Sequence, residues 1–163
     1  MNRWWTYQKE RFPLSAYIPL MATFGFSSIS YSLHLHKPEA RFSDLSIPQA
    51  VTAILTTLFW FMLLRIADEH KDYEEDMQYR PYRPVQRGLV KLSELRAIGI
   101  VLALSLIGMS VWVDWRLLGL LAMAGLWFTL MSLEFGVPKW LKAHPTVYLL
   151  SHMLLLPLLH TFF

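Results

Sequence analysis

Apolar residues run along this chain in five long blocks, roughly 13–33, 46–64, 97–113, 117–133 and 145–163, with polar residues gathered between them. About 20 apolar residues in helical form match the hydrocarbon thickness of a membrane. Backbone in lipid must also satisfy its own hydrogen bonds, which selects helices over open strands. The pattern predicts an all-α membrane protein with five transmembrane helices. The third and fourth blocks are separated only by the VDWR turn at 113–116 and read as a helical hairpin.

Composition supports the membrane setting, since 55% of the 163 residues are hydrophobic and only 17% are charged, the reverse of a water-facing surface. Of the 15 Lys and Arg residues, 12 lie in the N-terminal stretch, in 65–96 and at Lys139 and Lys142, while Lys37, Arg41 and Arg116 occupy the other connections. Basic residues collect on the cytosolic side of membrane proteins. The expected topology has a cytosolic N-terminus and a C-terminus on the opposite side of a bacterial inner membrane or similar bilayer. Trp4, Trp5 and Trp140 then mark the inner interface, and Trp112 and Trp115 the outer one. Orientation and headgroup contact account for the net charge of +3 with no nucleic acid involved.

The absence of cysteine excludes a disulfide framework and thiolate metal sites. The opening MNRWWTYQKERF is too charged and aromatic for a cleaved secretory signal and is expected to stay attached. The resulting picture is one membrane domain over 1–163, with a cytosolic segment at 1–12 and a cytosolic loop at 65–95.

That loop carries the candidate chemistry. Asp68, Asp72 and Asp76 recur every four residues, so a second span that continues as a helix presents them on one face, with about 40° of drift per step. Like charges at this spacing repel and are relieved by a hard cation such as Mg²⁺, which takes one or two carboxylates together with substrate phosphates. Arg80, Arg83 and Arg87 follow closely, and guanidinium forks match phosphate oxygens. Spacing alone also permits a solvated helix end laced with internal salt bridges.

DEHKDYEED at 68–76 followed by YRPVQRGLV at 82–90 resembles the signature of the UbiA-type intramembrane prenyltransferases. Their first aspartate-rich motif runs NDxxDxxxD and is followed by an Arg-Pro pair and a nearby glycine. Asp68 stands at the motif's Asn, Glu69 at its first Asp, and Asp72 and Asp76 at the other two acids. Arg83, Pro84 and Gly88 match the second element. The ERFPL segment resembles the family's cytosolic lead-in and brings Arg11 into the comparison, and Lys139 stands near a basic position of the family. Two departures are plain: Asp-Glu replaces Asn-Asp, and the second aspartate-rich motif, which follows later in the family's bundle of about nine helices, has no counterpart here.

The resemblance implies a Mg²⁺-dependent transfer of an isoprenoid group from its diphosphate to an aromatic or related lipophilic acceptor. Asp68, Asp72 and Asp76 would be catalytic, with Glu69 joining them as metal ligands, and Arg83, Arg11 and Lys139 would bind the diphosphate. The isoprenoid tail would lie among helices open to membrane lipid. With one motif and five helices, the chain reads as the first half of such an enzyme. Its 163 residues are not expected to turn over alone, and a partner subunit or second copy is expected to complete the bundle. The alternative is a non-catalytic UbiA-like subunit or lipid- or pigment-binding component of a larger membrane complex. His34, His36 and His144 are expected to meet solvent, His152 and His160 to make packing hydrogen bonds, and the SSISYS serines to serve close helix packing.

Overall fold

A computed structural model describes residues 2–36, 39 and 47–160, and its regular elements are all helical. They are α1 (Arg3–Arg11), α2 (Leu14–His36), α3 (Ile47–Lys71), α4 (Tyr73–Tyr79), α5 (Leu92–Val113), α6 (Leu117–Ser132), α7 (Pro138–Ala143), α8 (Pro145–Met153) and α9 (Leu155–His160), with a 3₁₀ turn at Glu134–Gly136. Among the described residues, each apolar block of the sequence is mostly helix. Lys37, Arg41 and the last three residues of the fifth block lie outside the described residues.

Length corrects the count of spans. Ala50–Lys71 and Leu92–Val113 are long and apolar enough to cross a membrane, and α1 joined to Leu14–Leu35 across a 55° bend makes a third if that pair is one span. The fourth and fifth blocks form shorter apolar helices, Leu117–Ser132 and Pro145–His160. A 16-residue helix such as α6 rises only about 24 Å, short of a hydrocarbon layer about 30 Å thick. Among the described residues the chain is all-helical, with two or three helices long and apolar enough to cross a membrane.

α3 is the central element, packed on one flank by α2 and on another by α5, with α6 behind. Two apolar clusters hold it. Tyr7, Ile66, Val85, Val90, Leu95 and Leu102 gather at the motif end, and Trp60, Leu106, Ala124, Met131, Leu155 and Leu159 gather farther along. Large apolar side chains outside these clusters, such as Ile100, Val101, Leu104, Ile107 and Val111 on α5, face outward, as lipid contact permits and water would oppose.

Helices in lipid gain little from expelling water and rely on close approach and internal hydrogen bonding. Gly25 supplies such an approach, because a Cβ placed on it would stand 3.1 Å from the carbonyl carbon and oxygen of Ala53 on α3. Gly25→Ala is expected to lower stability by about 1–3 kcal/mol, the usual range for overpacking, since backbone cannot rotate aside. An unchanged unfolding temperature in detergent would remove this contact from the account.

Hydroxyls inside the helices turn back on their own turns: Ser28 donates to the Phe24 carbonyl at 3.0 Å, Thr57 to Ala53 at 2.9 Å and Ser110 to Leu106 at 2.7 Å. Ser28 also pairs at 2.7 Å with Nδ1 of His160, tying α2 to α9. His152 Nδ1 meets the Tyr148 carbonyl at 2.8 Å within α8, so His160 makes the expected hydrogen bond between helices and His152 makes one inside its own helix.

Candidate functional site

The second apolar block continues as helix beyond Arg65 to Lys71, and α4 resumes at Tyr73. Asp72 is the joint, with φ −93° and ψ 8°. Helical hydrogen bonding carries through it, since the Asp72 amide donates to the Asp68 carbonyl at 2.9 Å and the Asp76 amide to the Asp72 carbonyl at 2.8 Å. Most of the stretch read as a loop from its charge is therefore helix.

Helix periodicity divides the acids, because Glu69 and Asp76, seven residues apart, fall on nearly the same face. Glu69 and Asp76 point inward and are fully buried, whereas the Asp68 side chain is 53% exposed and Asp72 is half-buried. A carboxylate can be buried as an ion only if it is paired, and arginines supply the partners. Arg11 Nε donates to Glu69 Oε1 at 2.5 Å, and Arg65 reaches the same oxygen at 3.3 Å. Arg80 donates to Asp76 Oδ1 at 3.0 Å, Arg83 donates to Oδ2, and Arg11 stands 4.0 Å from Oδ2. Arg11 thus links the two buried acids. Asp72 has no comparable compensation; burial pushes its carboxyl above the ordinary range, and the neighbouring Asp76 and Glu75 charges add to this against the opposing charge of Lys71.

The arginines are held from below by a tight turn. The Leu89 amide donates to the Pro84 carbonyl at 2.8 Å, and the Gly88 amide to Val85 at 3.0 Å, with Gly88 at φ +75°. Glycine adopts this conformation without the strain a Cβ imposes, which gives the Arg-Pro…Gly pattern a local cause. Glu10 accepts from Arg87 at 2.9 Å and Glu94 from Arg3 at 2.7 and 3.1 Å, so α1 is clamped across this end of the bundle. A cavity of about 500 Å³ opens here, lined by Glu10, Arg11, Tyr82, Arg83, Pro84 and Arg87. An apolar crevice of about 150 Å³, bounded by Tyr7, Phe12, Met62, Arg65 and Ile98, lies between α1, α3 and α5.

The structure brings Arg11, Arg83, Glu69 and Asp76 together and leaves Asp68 and Asp72 more open. Among the described residues no group of three or more acids and histidines stands close enough to hold a metal ion. Lys139 is exposed on α7, and it is Lys142 that comes within 3.9 Å of Glu75. Sequence reasoning missed Arg65 as a partner for Glu69 and Arg80 as a partner for Asp76, although both stand four residues away on a helix, a spacing that signals an ion pair. It also missed Glu134, which lies within ion-pair distance of Lys71 and has no signal in the local sequence. The chain matches no family model, no curated protein and no solved structure.

Proposed function

We propose that this chain is a UbiA-like membrane protein that supplies the diphosphate-binding face of a prenyltransferase, with its five helical blocks in the membrane and the acid motif on the cytosolic side. One observation carries the reading: Asp68 and Asp72, more open than Glu69 and Asp76, stand at the end of a helix of spanning length whose two buried acids bind Arg11 and Arg83, and these arginines line a cavity of about 500 Å³. Acids and guanidinium groups in one place suit a ligand that brings both phosphate oxygens and a cation.

Asp68 and Asp72 are the residues that fit Mg²⁺, which takes one or two carboxylates along with phosphates and, when bound, stabilises charge developing on a leaving diphosphate. Glu69 and Asp76, occupied by arginines, serve instead to orient Arg11 and Arg83. These two arginines bind phosphate oxygens from the cavity side. Arg87, already joined to Glu10 at the rim, adds positive charge that draws an anion in. The apolar walls around Tyr7 and Ile98 keep water from the end of the site next to the isoprenoid, where a carbocation would otherwise be quenched. An aromatic or other lipophilic acceptor completes the transfer.

A non-catalytic subunit that only binds an isoprenoid or pigment is the second reading, favoured by the lack of a three-ligand metal cluster among the described residues. Calorimetric titration of the detergent-solubilised chain with geranylgeranyl diphosphate separates the two. The proposal expects binding that requires Mg²⁺ and that weakens about tenfold in Arg83→Lys, as loss of one charge-assisted hydrogen bond implies. Binding of the same strength without Mg²⁺ and in Arg83→Lys would favour the subunit.

A further inference from the structure

Lys71 stands inside the acid motif, three residues after Asp68 and adjacent to Asp72. Helix geometry makes Asp68 its natural partner, because residues three apart are neighbours on a helix surface. Its ammonium goes elsewhere. Nζ lies 2.7 Å from Glu134 Oε1, donates to the Tyr148 hydroxyl at 3.1 Å and sits 5.3 Å from the centre of the Tyr148 ring. The ring is itself stacked on His152 with centroids 4.0 Å apart. Lys71 is still near enough for its charge to act on both Asp68 and Asp72.

The residue that holds it is unusual in its backbone. Glu134 and Phe135 have φ of +50° and +54°, and Gly136 continues at +73°. Two consecutive non-glycine residues in the left-handed region persist only where surrounding contacts enforce them. Phe135 is anchored edge-on to Trp127 at 5.3 Å. The outcome of the turn is a carboxylate only 5% exposed, carried inward from the end of α6 to the end of α3.

We infer that Glu134 is a positioning residue for the acid motif: by engaging Lys71 it keeps that ammonium off Asp72 and keeps a second cation off Asp68, which already stands 3.8 Å from Arg65, so that both carboxylates stay accessible to a divalent cation and its diphosphate. The inference rests on the diphosphate reading above. Without Glu134 the lysine swings about its four-carbon stem to the nearest acids, Asp68 and Asp72, and competes with the cation for the same oxygens. The tyrosine and the stacked histidine steady Lys71 in its present place but carry no compensating negative charge.

The test uses the full chain in detergent, with Mn²⁺ as a paramagnetic replacement for Mg²⁺ and geranyl diphosphate as the probe. Electron paramagnetic resonance reads bound Mn²⁺. Glu134→Gln is expected to bind it about tenfold more weakly or worse, the usual consequence of losing an outer partner of a metal site. The double variant Glu134→Gln with Lys71→Gln is expected to regain the affinity of Lys71→Gln alone, because no ammonium is left to compete. Acylation of Lys71, followed by mass spectrometry, should be faster in Glu134→Gln than in the parent. A double variant as weak as Glu134→Gln would overturn the inference by showing that Glu134 serves only shape, and so would unchanged Lys71 acylation. A parent chain that binds neither probe overturns the diphosphate reading and this inference together. A parent that binds, with Glu134→Gln binding equally, overturns this inference alone.

Discussion

Asp76→Asn is expected to destabilise the chain by about 3 kcal/mol, at the lower end of the range for removing one partner of a buried ion pair. Asp76 is 1% exposed and receives Arg80 and Arg83 directly, with Arg11 close by. The Arg80 side chain, 46% exposed, can turn to water, which limits the loss. Those of Arg83 and Arg11, at 19% and 10%, are less free to do so and would be left crowded against each other with Glu69 as the remaining buried acid. Asparagine keeps the shape and removes the charge, so the change isolates electrostatics. Thermal unfolding in mild detergent measures it, and adding Arg83→Gln to Asp76→Asn should recover part of the loss. A shift below about 0.5 kcal/mol, within the range of ordinary surface changes, would mean the cluster is solvated and the buried-pair description wrong.

Asp72→Asn should have the opposite profile. Asp72 is half-buried, and its carboxyl is raised by burial, so a neutral amide is tolerated and stability should stay within about 0.5 kcal/mol of the parent. Binding is where the loss should fall. Removing one of two carboxylates that fit a hard divalent cation is expected to weaken Mg²⁺-dependent isoprenoid diphosphate binding on the order of a hundredfold, since affinity at such sites follows ligand charge. The same calorimetric titration reads it. If Asp72→Asn binds like the parent, Asp72 is not a metal ligand; if it unfolds the protein instead, its place in the structure is not the open one described. Two aspartates four residues apart in one motif thus have different surroundings, Asp76 buried against arginines and Asp72 half-buried.

Much of the fold was legible because the membrane constrains sequence strongly. Among the described residues each apolar block is mostly helix, since backbone in an apolar phase has no other partner for its amides and carbonyls. The motif end was legible in part: Asp68, Asp72 and Asp76 do follow a helical path, and Arg83 does reach one of them. The three aspartates do not share their surroundings, however, because the drift per step carries Asp76 round to the side of Glu69, where both acids meet arginines. Lys139 was placed near the site by position in the chain, but α7 leaves it exposed.

By itself, the sequence determined the helical class, the limits of the apolar blocks and the concentration of acids and arginines after the second block. All of these depend on periodicity or composition, which act over a few neighbouring residues. Only the tertiary structure brought Arg11 onto Glu69, which lies 58 residues from it along the chain. It alone joined Lys71 to Glu134 and drew Tyr148 in from 77 residues away. Ion pairs form between charges that folding brings within a few ångströms in a poorly solvated place, and distance along the chain carries no record of that approach.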